Sequence, residues 1–190
     1  MNLREIQSTL AHLYTDRSFR NQMCSNSHHD FFKRRKKQIG KNSTDIFTKQ
    51  IESFALSLHR KRFNEICRLL PKSTRAIGAR FSTLFFEYAD QHHSSGEQKH
   101  LNDALCFCRF LQTRIHPREA DLVSYEAAWL QASDLSKIFL IRFFSNDPRT
   151  LWRNFTLKIP PKKSVRHRFM AIWIRLTPKF CIHQFSIRLW

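Results

Sequence analysis

The chain has 190 residues, 33 Lys and Arg against 15 Asp and Glu (a net charge of +18 with histidine neutral), and three glycines. At ordinary usage of roughly 7%, about 13 glycines would be present. With only Gly40, Gly78 and Gly96, isolated from one another, there is neither a Walker loop nor a dinucleotide fingerprint, which argues against a nucleotide-dependent kinase or a Rossmann dehydrogenase.

From the N-terminus, Leu3, Ile6, Leu10 and Leu13 fall at helical spacing and predict an amphipathic helix over 3–14. Asp16 is placed to cap a second short helix through Met23, with Phe19 on its apolar face. Residues 25–42 are polar, basic and rich in turn formers and read as a loop. Thr44 or Asp45 is a good N-cap for a helix with the apolar stripe Phe47, Ile51, Phe54, Ala55, Leu58, Phe63, Ile66, Cys67 and Leu70, either continuous or broken near His59. Pro71 ends it, lacking an N–H and disfavouring helix at the preceding residue. A further turn covers 73–78, and Phe81, Leu84, Phe85 and Tyr88 give one face to a helix over 81–89. Leu101, Ala104, Leu105, Cys108 and Leu111 point inward from a helix over 99–114, and Pro117 opens another to about Asp134.

After Ser133 the pattern changes. Residues 137–144 are β-branched and aromatic and predict a strand; 168–176 predict a second, with Phe169, Ala171 and Trp173 on one side and Met170, Ile172 and Ile174 on the other. A third, 184–190, alternates Phe185, Ile187 and Leu189 against Ser186 and Arg188. Between the first two lies a turn and short helix around NDPRTLWRNF. The expected fold is mainly α, a bundle of five to six helices with a small C-terminal antiparallel β element. The expected organisation is N-terminal helices over 1–24, a basic loop over 25–42, a helical core over 43–135 and a basic β-rich extension over 136–190.

A hydrophobic fraction of 42% and 18 phenylalanines exclude global disorder. No apolar run approaches the ~18 residues that span a bilayer, since the best, Ile138 to Phe144, is broken by Arg142. The opening MNLREIQSTLAHLY has no secretory apolar core. A cytoplasmic protein without a membrane partner is the expectation, and its five cysteines then read as reduced thiols.

The charge is uneven. Residues 1–80 carry 17 basic and 6 acidic side chains, 81–147 carry 6 and 9, and 148–190 carry 10 and none. The first excess centres on Lys33, Arg34, Arg35, Lys36 and Lys37; a second stretch holds Arg60, Lys61, Arg62, Arg68, Lys72 and Arg75; the tail adds Lys162, Lys163, Arg166 and Arg168. These are the candidate anion-contacting residues, either solvated faces or phosphate contacts. In the tail, aromatics interleaved with cations suit a stacking platform for single strands, and the last strand suits edge pairing with a partner's strand.

Ten histidines and five cysteines invite a metal, but none shows paired zinc spacing. Cys106 and Cys108 point about 200° apart on a helix. There is no G-x-S-x-G motif, and Glu119, Asp121 and Glu126 are explained as carboxylates at a helix start. No catalytic residue, metal or cofactor is expected, and the protein reads as non-enzymatic.

The stretches SLHRKRFNEICRLLPKSTRAIGARFSTLFFEYAD (57–90), HLNDALCFCRFL (100–111) and SYEAAWL (124–130) resemble small helical bacterial domains. Some of these are described as DNA-binding, and similar proteins act as partners of multinuclear iron enzymes that modify peptides. The resemblance implies a helical bundle and a binding or adaptor role, and carries over no catalytic residue. The expected function is a binding protein whose basic regions contact an anionic partner such as nucleic acid; the alternative is an accessory subunit recognising a peptide or enzyme partner.

Overall fold

The computed structural model describes residues 3–25, 41–92, 99–134, 138–159, 168–175 and 182–189. These hold eight helices and three strands: α1 (Leu3–Thr15), α2 (Arg17–Ser25), α3 (Lys41–Leu69), α4 (Pro71–Ile77), α5 (Ala79–Gln91), α6 (Lys99–Gln112), α7 (Pro117–Ala132), β1 (Phe139–Phe144), α8 (Pro148–Leu157), β2 (Phe169–Arg175) and β3 (Ile182–Arg188). The protein is mainly helical with a small antiparallel sheet, as its patterning predicts. The chain divides into two compact units, one of residues 1–64 with 86–93, the other of 65–85 with 94–190.

In the first unit Asp16 caps α2, its Oδ1 accepting from the Phe19 amide at 2.9 Å. Leu13, Ile51 and Ala55 are buried. The helix α3 is continuous, without a break at His59. Phe54, expected inside, is exposed, and its ring lies 4.5 Å from that of Tyr14. Arg17 pairs with Asp90 at 3.0 Å.

The second unit is organised by α7, which packs on α4, α6, α8, β1 and β2. Pro71 stops α3, and Leu70 before it takes φ −124° and ψ 54°, outside the helical region. Gly78 closes α4 at φ 63° and ψ −137°, a conformation that costs residues with a Cβ heavily. The Phe107 ring meets those of Phe81 and Phe85 edge-on at 5.3 and 5.5 Å. Phe107 and Asp103 of α6 are buried, whereas Leu101 and Leu105, expected inward, are half-buried.

The strand order is β1-β2-β3, all antiparallel, with Leu140 opposite Trp173 and Trp173 opposite Gln184. Opposite residues share a face. The face holding Ala171 and Trp173 packs on Tyr125, Ala128 and Ala132 of α7. Buried Arg175 donates from Nη2 to the Ala132 carbonyl at 2.7 Å, placing a cation at the negative end of α7. The third strand alternates as its sequence predicts, and the structure decides which side faces inward. Its apolar side, Phe185 and Ile187, is exposed, and Gln184 faces inward to accept from the Tyr125 hydroxyl at 3.0 Å. The register places Gln184 beside Trp173, so alternation alone could not say which side of this edge strand meets the core.

Glu126 ties α7 to α4. Its buried carboxylate accepts from the Lys72 amide at 2.8 Å, the Ser73 amide at 2.7 Å and the Ser73 hydroxyl at 2.6 Å. Burial holds its carboxyl above the usual range, while the bonds from Ser73 and Lys72 pull the other way. Glu126→Gln is expected to cost about 1–3 kcal/mol, because an amide nitrogen would face a buried donor. The folded carboxyl holds its proton more tightly than the unfolded one. Its contribution to stability is therefore complete below the unfolded pKa and is lost as pH rises through the folded pKa. Urea denaturation across that range should show the penalty of Glu126→Gln largest in acid and shrinking toward neutrality; the opposite trend would show that the hydrogen bonds outweigh burial.

Candidate anion-binding face

The local sequence builds a basic, aromatic face in the second unit from α4, α7, α8 and β3. Asp147 starts α8, its carboxylate accepting from the Arg149 amide at 3.1 Å and the Thr150 amide at 3.3 Å, with Pro148 in the first turn. That start orients Arg149 and Trp152. The Lys72 ammonium lies 4.9 Å from the centre of the Tyr125 ring, and the Arg75 guanidinium 5.7 Å from the centre of the Trp152 ring. Both distances fall within the range of cation–π attraction. Arg149 donates from Nη2 to Gln184 Oε1 at 3.4 Å, the same oxygen that accepts from Tyr125. Lys72, Tyr125, Gln184 and Arg149 thus form one connected run.

The nearby carboxylates are occupied. Asp147 caps α8 and also accepts from the Thr150 hydroxyl at 2.6 Å. Glu126 serves α4, and Lys72 sits close enough to help stabilise its charge. Arg75 and Arg149 make no ion pair among the described residues. Asp121 accepts from the Asn146 amide at 2.9 Å and holds the turn after β1; Glu119 accepts from the His116 amide at 2.9 Å and lies 3.6 Å from Arg80. All three α7 carboxylates therefore act as acceptors for backbone amides.

Of the residues expected to contact an anion, Lys72 and Arg75 belong to this face. Arg68, at the end of α3, is exposed and pairs with Glu65 at 3.1 Å, an i,i+3 contact of small energetic weight. Arg168, just before β2, is exposed, and its carbonyl accepts from the Leu189 amide at 2.7 Å. In the first unit Arg60 and Lys61 are exposed, and Arg62 lies 5.3 Å over the Tyr88 ring. Lys33, Arg34, Arg35, Lys36 and Lys37 lie outside the described residues, as do Lys162, Lys163 and Arg166. Arg149, Tyr125, Trp152 and Gln184 were not singled out in the sequence. The acid-free tail and the Asp147-Pro148 helix start could have pointed to Arg149 and Trp152, but nothing local marks Tyr125 or Gln184.

Among the described residues no group of three or more His, Cys, Asp or Glu could hold a metal ion, and no helix is long and apolar enough to cross a membrane. A family model described as the SCO6045-like C-terminal domain matches residues 47–113, about a third of the chain. The match overlaps the first two of the three stretches that resemble helical bacterial domains. No curated protein matches the chain.

Cys108 is buried on α6, and burial pushes its thiol well above the usual range; Glu126 and Cys106 add to the shift and Arg109 opposes it. Cys67, half-buried, is also raised by burial, with a hydrogen bond from Thr74 acting against it. A thiolate-selective reagent followed by peptide mapping should leave Cys108 unmodified in the native protein and label it once urea unfolds the chain.

Proposed function

We propose that this protein is a cytoplasmic, non-enzymatic binding protein whose basic regions contact an anionic partner, and that the partner is nucleic acid. The observation carrying this reading is the face just described. Lys72 and Arg75 are held over Tyr125 and Trp152, Arg149 stands beside them through Gln184, and the carboxylates nearby already accept from backbone amides. Cations bind phosphate oxygens, and the half-buried Trp152 indole beside Arg75 supports stacking with a base, whereas Tyr125 is buried and serves to position Lys72. The +10 of residues 148–190, without an acidic side chain, supports the same reading. The contacts suit backbone recognition with little sequence selectivity.

Fluorescence anisotropy with duplex and single-stranded oligonucleotides across a salt series tests it. Binding should weaken steeply with salt, with a log–log slope of about −0.9 per neutralised phosphate on duplex and about −0.7 on a single strand. Arg75→Gln and Arg149→Gln, singly and together, should lower affinity across all sequences and flatten that slope. No binding at low salt, or unchanged binding by the double variant, would falsify the reading.

The second reading, an accessory subunit for a peptide or enzyme partner, is favoured by β3, which pairs only with β2 among the described residues. It also agrees with the resemblance to partner proteins of peptide-modifying enzymes. Pull-down with and without nuclease separates the two: a defined protein kept at high salt after nuclease supports this one.

A further inference from the structure

We propose that the outer face of the three-stranded sheet is a self-association surface, on which a second copy of this chain packs sheet against sheet. The register sets the face in three rows. Phe139, Ile174 and His183 form the first, Ile141, Ile172 and Phe185 the second, and Phe143, Met170 and Ile187 the third. Eight of these nine residues are apolar and the ninth is His183; no Lys, Arg, Asp or Glu stands among them. The other face of the same sheet is the one that meets α7, so these rows point away from the core.

The rows are open to solvent. Phe139 and Phe185 are each 55% exposed, Phe143 is 67% exposed and Ile187 is 47% exposed, while the middle strand is half-buried between them. With about 200 Å² for a fully exposed large side chain, the face offers on the order of 500 Å² of apolar surface per copy. About 300–600 Å² is the size of the largest apolar patch on a typical monomer, and such a patch is often functional. Two copies covering each other would bury about 1,000 Å², the size at which a specific interface begins to exceed an incidental contact.

Charge and shape select the occupant. A nucleic acid would find the rings of Phe139, Phe143 and Phe185 to stack on, but only one imidazole and no fixed cation among these nine positions for its phosphates, and phosphate contacts supply most of the affinity for nucleic acid. A second copy presents the same uncharged, slightly twisted surface. Two such sheets pack about 10 Å apart with interdigitated side chains, as in a sandwich. The chain's large positive charge opposes association in general, but no cation has to be desolvated within this contact. The arrangement is isologous, each face meeting its own copy across a two-fold axis, so it closes at a dimer. It is independent of the anion-binding proposal, because Gln184, Tyr125 and Lys72 lie on the other side of the sheet or beyond it.

Sedimentation velocity on the nuclease-treated 190-residue chain at high salt provides the test. Over about a hundredfold range of concentration, the mass should rise from 22.8 kDa toward twice that value. Phe143→Lys and Phe185→Lys should each raise the dissociation constant by about tenfold or more, with unchanged circular dichroism. Arg153→Ala, on exposed α8 surface, should leave it unaltered. A milder variant, Phe139→Ser, guards against a lysine that disturbs the strand and should weaken association in the same direction. A mass that stays at 22.8 kDa throughout overturns the proposal. So does a dimer that both lysine variants form as well as wild type, an assembly present only before nuclease treatment, or a different protein found bound over these rows.

Discussion

The carboxylate of Glu126, buried on α7, stands where a seven-residue helix would otherwise have no partner for its first amides. A helix begins with backbone N–H groups that its own turns cannot satisfy, and one as short as α4 gains little from its own hydrogen bonds. Pro71 supplies the starting dihedral and removes one donor; Glu126 takes the next two and the Ser73 hydroxyl as well. This is capping by a residue more than fifty positions away. It sets where Lys72 and Arg75 stand, and therefore whether there is a basic face at all.

The helix that carries Glu126 also orders the rest of the second unit. Its start is closed by Glu119 accepting from the His116 amide, its end by Arg175 donating to the Ala132 carbonyl. Between these ends, Ala128 and Ala132 let the sheet approach closely, and Tyr125 reaches both Trp173 and, through its hydroxyl, Gln184. Tyr125 thus serves twice: its ring lies under the Lys72 ammonium and its hydroxyl fixes the glutamine that receives Arg149. A core contact and a surface charge are coupled through one side chain.

This economy of acidic groups shapes the surface. Asp121, Glu119, Glu126 and Asp147 all spend their acceptors on backbone amides at turns and helix starts. Acceptors used this way stabilise local structure and hold backbone geometry. The Lys72 and Arg75 cations keep a preferred position over the Tyr125 and Trp152 rings, and Arg75 does so with no ion pair among the described residues. The sheet's two sides then divide chemically: one meets the helices and borders the cationic face, the other is apolar.

The sequence by itself determined the element types. Leu13 on a 3.6-residue period, Asp16 before a helix, Pro71 at a break and the alternation of 168–176 are local signals, and local dihedral and burial preferences decide such elements. It also determined that the tail is basic, a matter of counting. Only the tertiary structure decided which cations work together. Lys72 and Arg149 are joined by Tyr125 and Gln184, each far from them in the chain, and no local pattern encodes that meeting. The same holds for β3. Its alternation separated two faces but left their direction open, because both sides of an edge strand can be satisfied until pairing with β2 sets Gln184 beside Trp173 and turns Phe185 outward.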